Sequence, residues 1–562
     1  MKKKENIIII VVLVVMILAI VGVSYAAFSY SKTGSKVNSI TTGSITMTYE
    51  ETDNTISLSG ALPTTDKTGT VRLNPGEYFD FSVSSEITGD VNINYEISAK
   101  KEDGNTIDGR YIKLYLTRLT DDGEEEALMV PETYNEESST NDYTGRPAEE
   151  MSLYTSSMNS SENNNYRLRM YVDESYNPQG DGGGLTFSVR INVYGKAGDK
   201  YVPLTTQEIL EDNELQEEKT QMFNYASNGG YFDMSGGSQS TNPEYVTNGL
   251  YSTEDEDGTS YYYRGNVTNN NVQFGEYQSD YYVYEYSSRY FQSLESCQEY
   301  NSSCSESNKV KLASAGDKMY WKIVRVNGDG SLRLIYNGTS ASPDNSDLAH
   351  SYTVGSSPYN LNADNPKYTG YTYDRDTNET DSFIKREVDT WYANALGNTE
   401  YDSKVSSGRF CSDSSGYLMD DNLGYNVFAS YDRLGQSDNN FAKPNNPSLK
   451  CPSTSESYGG SYRLKAGLIT ADELVLAVES SSVSGNSYLN PGERDYWGMT
   501  PSAFAYNSAD ISVINYYDGL TLVAVNVTGG SYGVRPVINI NANSKFASGD
   551  GTAENPYVIT AE

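Results

Sequence analysis

The sequence predicts a multidomain protein, with an all-β sandwich or jelly-roll domain followed by a larger, loop-rich α+β domain. Two observations carry this prediction. The composition, with 50 tyrosines and 48 glycines among 562 residues, is typical of strands and turns. Segments of alternating apolar and polar residues recur through the first 200 residues with no helical pattern between them, whereas helical patterns occur only further along.

The first 27 residues have the pattern of an export signal. Three lysines at positions 2–4 precede an apolar run over 7–23, and small residues follow it. Cleavage beside Ala26 and Ala27 is the favoured interpretation. The run is also close to the lower length limit of a transmembrane helix, so retention of residues 7–27 as a membrane anchor is the alternative. In both cases the lysines stay in the cytoplasm, and we expect an extracellular or cell-surface protein.

The charge of the chain excludes one class of partner. Its formal net charge is −35, from 76 acidic and 41 basic residues. Such a chain repels nucleic acid and anionic lipid, so we expect no nucleic-acid partner. A solvated acidic surface is the favoured interpretation of this charge.

Residues 28–197 are predicted to form the β domain. The alternation typical of strands occurs at 43–49, 78–83, 91–97, 111–116, 166–172 and 185–191. Turn-forming residues at 74–76 and 181–184 separate some of these segments. The Ser- and Asn-rich stretch from 132 to 165 is predicted to be a long loop.

Residues 198–245 are predicted to hold a short helix, opened by Thr205 or Thr206, and then a linker rich in Gly, Ser and Asn. The α+β domain follows over 246–562. The turn at 327–330 predicts a hairpin between two strands. A helix is predicted over 384–396, and a second begins at Thr470, whose capping box Glu473 completes.

Four cysteines in an exported chain permit two disulfides, and the hypothesis adopted pairs neighbours in sequence. The pairs would be Cys297 with Cys304 and Cys411 with Cys451. A zinc site is disfavoured, because the chain has no Cys-x-x-Cys motif and its single histidine is His350.

An aromatic group near the C-terminal end is the candidate ligand surface. Trp497, with Tyr496, Tyr516 and Tyr517 near it, would stack on sugars if the rings were exposed. The favoured alternative places Trp497 in the core, together with Arg535 paired to a buried carboxylate or to carbonyls.

No catalytic motif is present, and we predict neither an enzyme nor a cofactor. His350 lies in a Ser- and Asp-rich loop, where a surface position is favoured over a catalytic triad. The acidic stretch 253–258 is similar to a calcium loop. It departs from the EF-hand pattern at Thr253 and at Arg264, which stand at its first and last ligand positions. An ordinary acidic turn is favoured over a calcium site of another kind.

The N-terminal 196 residues resemble the TasA/camelysin family of exported, biofilm-matrix-type proteins. The residues that carry the resemblance are 27–29, 37–45, 62–66, 74–79 and 189–194. The resemblance implies a jelly roll, a dedicated signal peptidase and assembly into surface fibres. A protease activity is not carried over, since the chain has no His-Glu-x-x-His motif.

The C-terminal module resembles a domain of unknown function of Gram-positive surface proteins, similar to the formylglycine-generating-enzyme and C-type-lectin-like folds. The residues that carry this second resemblance are 248–251, 257–265, 321–330, 467–473, 496–502, 533–540 and 549–557. The enzyme of that fold uses reactive cysteines and copper. Cys411 and Cys451 lie outside these motifs, so the resemblance implies a fold and no activity.

The function predicted is structural or adhesive, at the cell surface or in the extracellular matrix. Self-association would proceed by strand addition, with residues 27–38 as the donor. The alternative is binding of glycans, peptides or other surface proteins by the C-terminal domain. A membrane contact would run through residues 7–27 if they are retained.

Overall fold

The computed structural model shows a mostly β protein that divides into two compact units, Met1–Tyr201 and Val202–Glu562. The residues it describes are 45–51, 55–59, 62–73, 77–87, 92–120, 125–129, 131–137, 140–141, 143–176, 186–198, 204–217, 248–343, 351–373, 380–415, 418–420, 425–434, 446–451, 459–478, 484–490, 494–505, 507–515, 520–530, 532–542 and 544–561. The predicted export signal, His350 and the predicted linker at 226–245 lie outside these residues.

Unit 1 consists of two sheets whose named strands all pair antiparallel. Its elements are β1 (Ile45–Glu51), β2 (Thr55–Ser59), α1 (Asp66–Gly69), β3 (Tyr78–Ile87), β4 (Asn92–Lys101), a 3-10 turn (Gly109–Tyr111), β5 (Ile112–Leu119), β6 (Glu125–Ala127), β7 (Glu132–Thr133), β8 (Met151–Met158), β9 (Glu162–Val172) and β10 (Thr186–Gly198). The first sheet has the order β1-β3-β9-β5-β6, with β7 on β5, and the second has the order β2-β10-β4-β8.

Side chains from both sheets meet in one hydrophobic core. Val83 and Leu168 enter it from the first sheet, and Ile97 and Val189 enter it from the second. Alternation along β3 and β5 follows from this arrangement, since every second side chain points inward. The all-β class predicted for this region is therefore confirmed.

The long loop predicted for 132–165 is wrong. That stretch contains β7, β8 and the first residues of β9. Its serines and asparagines have low strand propensity, but the backbone of β8 pairs with β4 and the start of β9 pairs with β3 and β5. Backbone pairing with neighbouring strands outweighs the local preference in both β8 and β9.

Unit 2 has a nine-stranded sheet, an eleven-stranded sheet and a two-stranded sheet, with short helices between the strands. Its strands are β11 (Gly249–Asp255), β12 (Gly258–Arg264), β13 (Asn271–Glu276), β14 (Tyr281–Tyr286), β15 (Arg289–Phe291), β16 (Lys309–Ala313), β17 (Lys318–Val326), β18 (Leu332–Tyr336), β19 (Gly355–Ser356), β20 (Val405–Ser406), β21 (Gly408–Ser412), β22 (Leu418–Asp420), β23 (Tyr425–Val427), β24 (Gly460–Leu464), β25 (Ala466–Gly467), β26 (Ser484–Gly485), β27 (Tyr496–Ala505), β28 (Ser508–Asn515), β29 (Leu520–Asn526), β30 (Gly533–Val534), β31 (Val537–Ile540) and β32 (Tyr557–Ile559).

Ser293, Ser382 and Thr470 are polar N-caps of helices in unit 2. They are α2 (Leu204–Asp212), α3 (Leu294–Tyr300), α4 (Phe383–Tyr392), α5 (Ala429–Arg433) and α6 (Ala471–Ala477), with 3-10 turns at Glu306–Asn308, Pro366–Thr369 and Glu400–Lys404 and a π turn at Ala393–Gly397. The capping box of Thr470 and Glu473 is present, as predicted. The predicted hairpin is also present, between β17 and β18.

The helix predicted near position 205 starts earlier than expected and packs into unit 2. It begins at Leu204, so Thr205 and Thr206 lie within it and not at its N-cap. Both threonines are buried, and Ile209 joins the unit 2 core. Because both threonines follow the first residue of the helix, neither is placed to act as its N-cap.

No helix in the described residues is long and apolar enough to cross a membrane.

Candidate functional site

The strand β8 forms an outer edge of the four-stranded sheet. Among the described strands it pairs only with β4. None of its eight residues, MSLYTSSM, carries a charge. An exposed sheet edge can accept a strand from another chain, and proteins usually hinder this with lysine, proline or a bulge.

Other edges in the molecule carry such charges. The strand β16, which ends the eleven-stranded sheet, has Lys309 and Lys311. The strand β1 ends in Glu50 and Glu51. The strand β2 is uncharged but has five residues. A register shift interrupts β8 near Leu153, which leaves Tyr154–Met158 in continuous pairing with β4. These five residues form an uncharged stretch of the β8 edge that no register shift interrupts.

A buried polar cluster covers the outer face of β4 beside this edge. We call it the Glu96 cluster: Glu96, Asn141, Thr144 and Arg146. The carboxylate of Glu96 accepts hydrogen bonds from Arg146 Nε at 2.6 Å, Thr144 Oγ1 at 2.6 Å and Asn141 Nδ2 at 3.0 Å. Arg146 also pairs with Glu137. The cluster therefore fixes the segment that leads into β8.

A second buried carboxylate holds the first residue of that edge in place. Glu150 immediately precedes β8 and is 1% exposed. It accepts hydrogen bonds from Ser98 Oγ at 2.5 Å, Tyr194 OH at 2.8 Å and Asn192 Nδ2 at 3.1 Å. Because β4 and β10 supply these donors, the edge is built on a rigid support.

The predicted aromatic ligand surface is wrong for the two residues that the structure describes. Trp497 is 0% exposed and Tyr496 is 1% exposed. The indole N–H of Trp497 donates to the Ser357 carbonyl at 2.8 Å, and its ring contacts Tyr359. Tyr516 and Tyr517 lie outside the described residues. The aromatic rings serve the core because they fill the space between strands and helices of unit 2.

Arg535 takes the core position that the sequence favoured, and backbone carbonyls are among its acceptors. Nε donates to the Tyr336 carbonyl at 2.8 Å and Nη1 to the Leu489 carbonyl at 2.9 Å. The side-chain oxygen of Asn337 accepts from Nη2 at 3.2 Å. The guanidinium also lies over the rings of Tyr352 and Tyr496.

The cysteines pair as the sequence hypothesis has it, Cys297 with Cys304 and Cys411 with Cys451. The second disulfide borders a pocket of ≈ 350 Å³, counted out to the solvent at its mouth. The charged side chains that line this pocket are Arg325, Arg333, Arg409, Asp472 and Glu473.

The charged groups that line the pocket are ion-paired, some with one another and some with residues beside the pocket. Arg325 lies between Asp255, at 2.9 Å, and Glu473, at 3.1 Å, and Arg333 also pairs with Glu473. Burial by itself would raise the pKa of Glu473, but the two guanidinium groups lower it below its ordinary value. These ion pairs link β17 and β18 to the start of α6.

The acidic stretch at 253–258 comprises the end of β11, the two-residue turn 256–257 and the first residue of β12. The carboxylate of Asp255 accepts from Arg325 Nη1 at 2.9 Å and from the backbone N–H of Gly328 and of Asp257, both at 2.8 Å. Its oxygens already accept hydrogen bonds from N–H groups, so they are not arranged as ligands for a cation. Across the described ranges, no group of three or more acidic, Cys or His side chains is placed to hold a metal ion.

The buried carboxyl of Glu387 is a feature that the sequence analysis did not identify. It is 1% exposed on α4 and accepts from the backbone N–H of Gln292 at 2.8 Å. Burial raises its pKa to about 7, and hydrogen bonds from Ser296 and Gln292 oppose that rise. The helix contains both apolar and charged residues, so one more Glu in its middle gives no distinctive pattern in the sequence.

Glu387 predicts a pH dependence of unit 2 stability. Its pKa rises from 4.5 to about 7 on folding, so its contribution to the free energy of unfolding is complete below pH 4.5 and is lost as the pH rises towards 7. We expect Glu387→Gln to stabilise unit 2 at pH 8 by up to about 3 kcal/mol and to leave it unchanged at pH 4. Urea unfolding followed by Trp fluorescence at both pH values measures this, with Glu554→Gln at an exposed position of unit 2 as control. An equal effect at both pH values would contradict it.

No protein-family model matches the chain, and no curated protein matches it.

Proposed function

We propose that this chain is an exported protein of the cell surface or extracellular matrix with a structural or adhesive role, and that its copies associate by strand addition. The observation that carries the proposal is the long, uncharged edge at β8, set on two buried carboxylate clusters. We also propose that unit 1 is a jelly roll and unit 2 a lectin-like fold, as the resemblances imply.

The donor in this proposal is residues 27–38 of a second copy, which lie outside the described residues. In the sequence this segment alternates Phe28 and Tyr30 with serines, as a strand with one apolar face would. Lys32 and Lys36 give it a positive charge, whereas the whole chain has a net charge of −35. The donor is therefore attracted to an acidic partner, although whole copies repel each other.

Electron microscopy of purified chains tests the proposal. We expect filaments from residues 27–562 and none from residues 39–562, which lack the donor. Thr155→Lys places a charge on the β8 edge and should also abolish filaments. Thr68→Lys, at an exposed position on α1, is the matched control and should leave them intact.

Two results would contradict strand addition at β8. Filaments from residues 39–562 would exclude the proposed donor, and filaments from Thr155→Lys would exclude the proposed edge. Monomers from every chain would overturn the assembly itself, and a glycan array with the full exported chain would then test the ligand-binding alternative.

A further inference from the structure

Lys322 and Asn271 lie directly opposite each other on neighbouring strands of the nine-stranded sheet. They are register partners in the antiparallel pair β13–β17. Lys322 Nζ is 2.6 Å from Asn271 Oδ1. The amine and the side-chain amide are therefore already in contact, on the same face of the sheet.

The amide of Asn271 is held in one orientation. Both of its N–H bonds are used, since Nδ2 donates to the Gly551 carbonyl at 2.8 Å and to the Thr268 carbonyl at 2.9 Å. The side chain is 1% exposed. Gly551 has φ +77°, and a β carbon there would meet the Asn269 carbonyl oxygen at 2.2 Å, so glycine is required. The amide thus presents its carbonyl group to Lys322.

The surroundings of Lys322 favour its neutral amine. In the part of the chain that the structure describes, no carboxylate is within ion-pair distance of Lys322. Burial and the nearby cation Arg535 together lower the pKa of Lys322 to about 8. A neutral lysine is the nucleophilic form, and the group that it contacts here is an amide carbonyl, whose carbon is electrophilic.

We propose that Lys322 and Asn271 join in an intramolecular isopeptide bond. Nζ attacks Cγ of Asn271, the new Nζ–Cγ bond forms, and the Cγ–Nδ2 bond breaks. Nδ2 leaves as ammonia with a proton that the attacking nitrogen gives up. No oxidant, cofactor or energy source enters this balance. Fixed contact between two reacting groups replaces an encounter in solution, which is a large kinetic advantage. The bond would tie β13 to β17 covalently.

Mass spectrometry of the intact exported chain, after reduction and alkylation of the cysteines, tests this proposal. We expect a mass below the sequence value by one ammonia, and a branched peptide that joins the segments around 271 and 322 after proteolysis. The variant Lys322→Arg, which keeps a donor for Asn271, should show the full mass. Lys318→Arg, at the exposed start of the same strand, should still lose ammonia.

The wild-type measurement decides the question even if a variant does not fold. A full wild-type mass would overturn the proposal. An ammonia loss that persists in Lys322→Arg would also overturn it, because an asparagine that cyclises on its own backbone loses the same mass. These outcomes do not depend on whether copies of the chain assemble.

Discussion

Replacement of Arg146 by methionine is expected to destabilise unit 1 by about 3–5 kcal/mol, because it leaves the carboxylate of Glu96 buried without its cation. Both side chains are almost fully buried, at 1% and 0% exposure. The hydrogen bonds from Thr144 and Asn141 would remain, but neither carries a charge. The loss should therefore approach the cost of an uncompensated buried charge.

The positions of the tryptophans allow this effect to be assigned to one unit. All three, Trp321, Trp391 and Trp497, lie in unit 2. Urea unfolding followed by circular dichroism reports on both units, and Trp fluorescence reports on unit 2. Arg146→Met should lower the urea midpoint measured by circular dichroism and leave the midpoint measured by Trp fluorescence unchanged.

A matched control and a rescue variant make the Arg146 experiment specific. Arg110 pairs with Asp108 at the surface, so Arg110→Met should cost less than about 1 kcal/mol. The double variant Glu96→Leu with Arg146→Met removes both charges and should recover much of the lost stability. A loss for Arg146→Met no larger than that for Arg110→Met would show that the buried pair contributes little.

Removal of the disulfide between Cys411 and Cys451 is expected to destabilise unit 2 by about 4 kcal/mol. The two cysteines are 40 positions apart, and the bridge restricts that loop in the unfolded chain. The bridge between Cys297 and Cys304 spans 7 positions, so its removal should cost about 2 kcal/mol. Trp fluorescence during urea unfolding of the two double Cys→Ala variants measures both values.

The order of the two disulfide effects is the informative result. The folded contacts near the longer bridge include Arg433, which pairs with Asp413 at 2.9 Å and Asp472 at 2.8 Å. These ion pairs remain in the Cys411→Ala, Cys451→Ala variant, so they should still hold Arg433 and Asp413 beside Asp472. A larger loss from the shorter bridge would show that packing around the buried Cys297 outweighs loop entropy.

The sequence predicted strands well where one face is apolar. The segment around Val83 alternates clearly, and its strand appears in the structure as β3. The prediction from sequence failed for β8, because its serines and threonine suggested a loop. Backbone pairing with β4 fixes that strand, and a partner distant in sequence is not visible in local composition.

The buried charges could be recognised only in part. Arg325 and Arg333 interrupt apolar strands. A buried arginine must be paired, so this pattern predicts a buried ion pair from the sequence. Their common partner Glu473 was predicted only as part of a capping box, because sequence gives no distance between a helix start and two strands. Arg146 lies in a polar segment and gave no pattern at all.

The contact between Asn271 and Gly551 joins positions 280 residues apart, and β32 adds a parallel strand beside β13. Unit 1, in contrast, has its last strand in place by residue 198. A chain that emerges N-terminus first can therefore complete unit 1 early, whereas the nine-stranded sheet must wait for its final strand. During that delay the apolar strands of unit 2 lack their final partner, so the interval between the two folding events is a stage at which the chain is prone to aggregation.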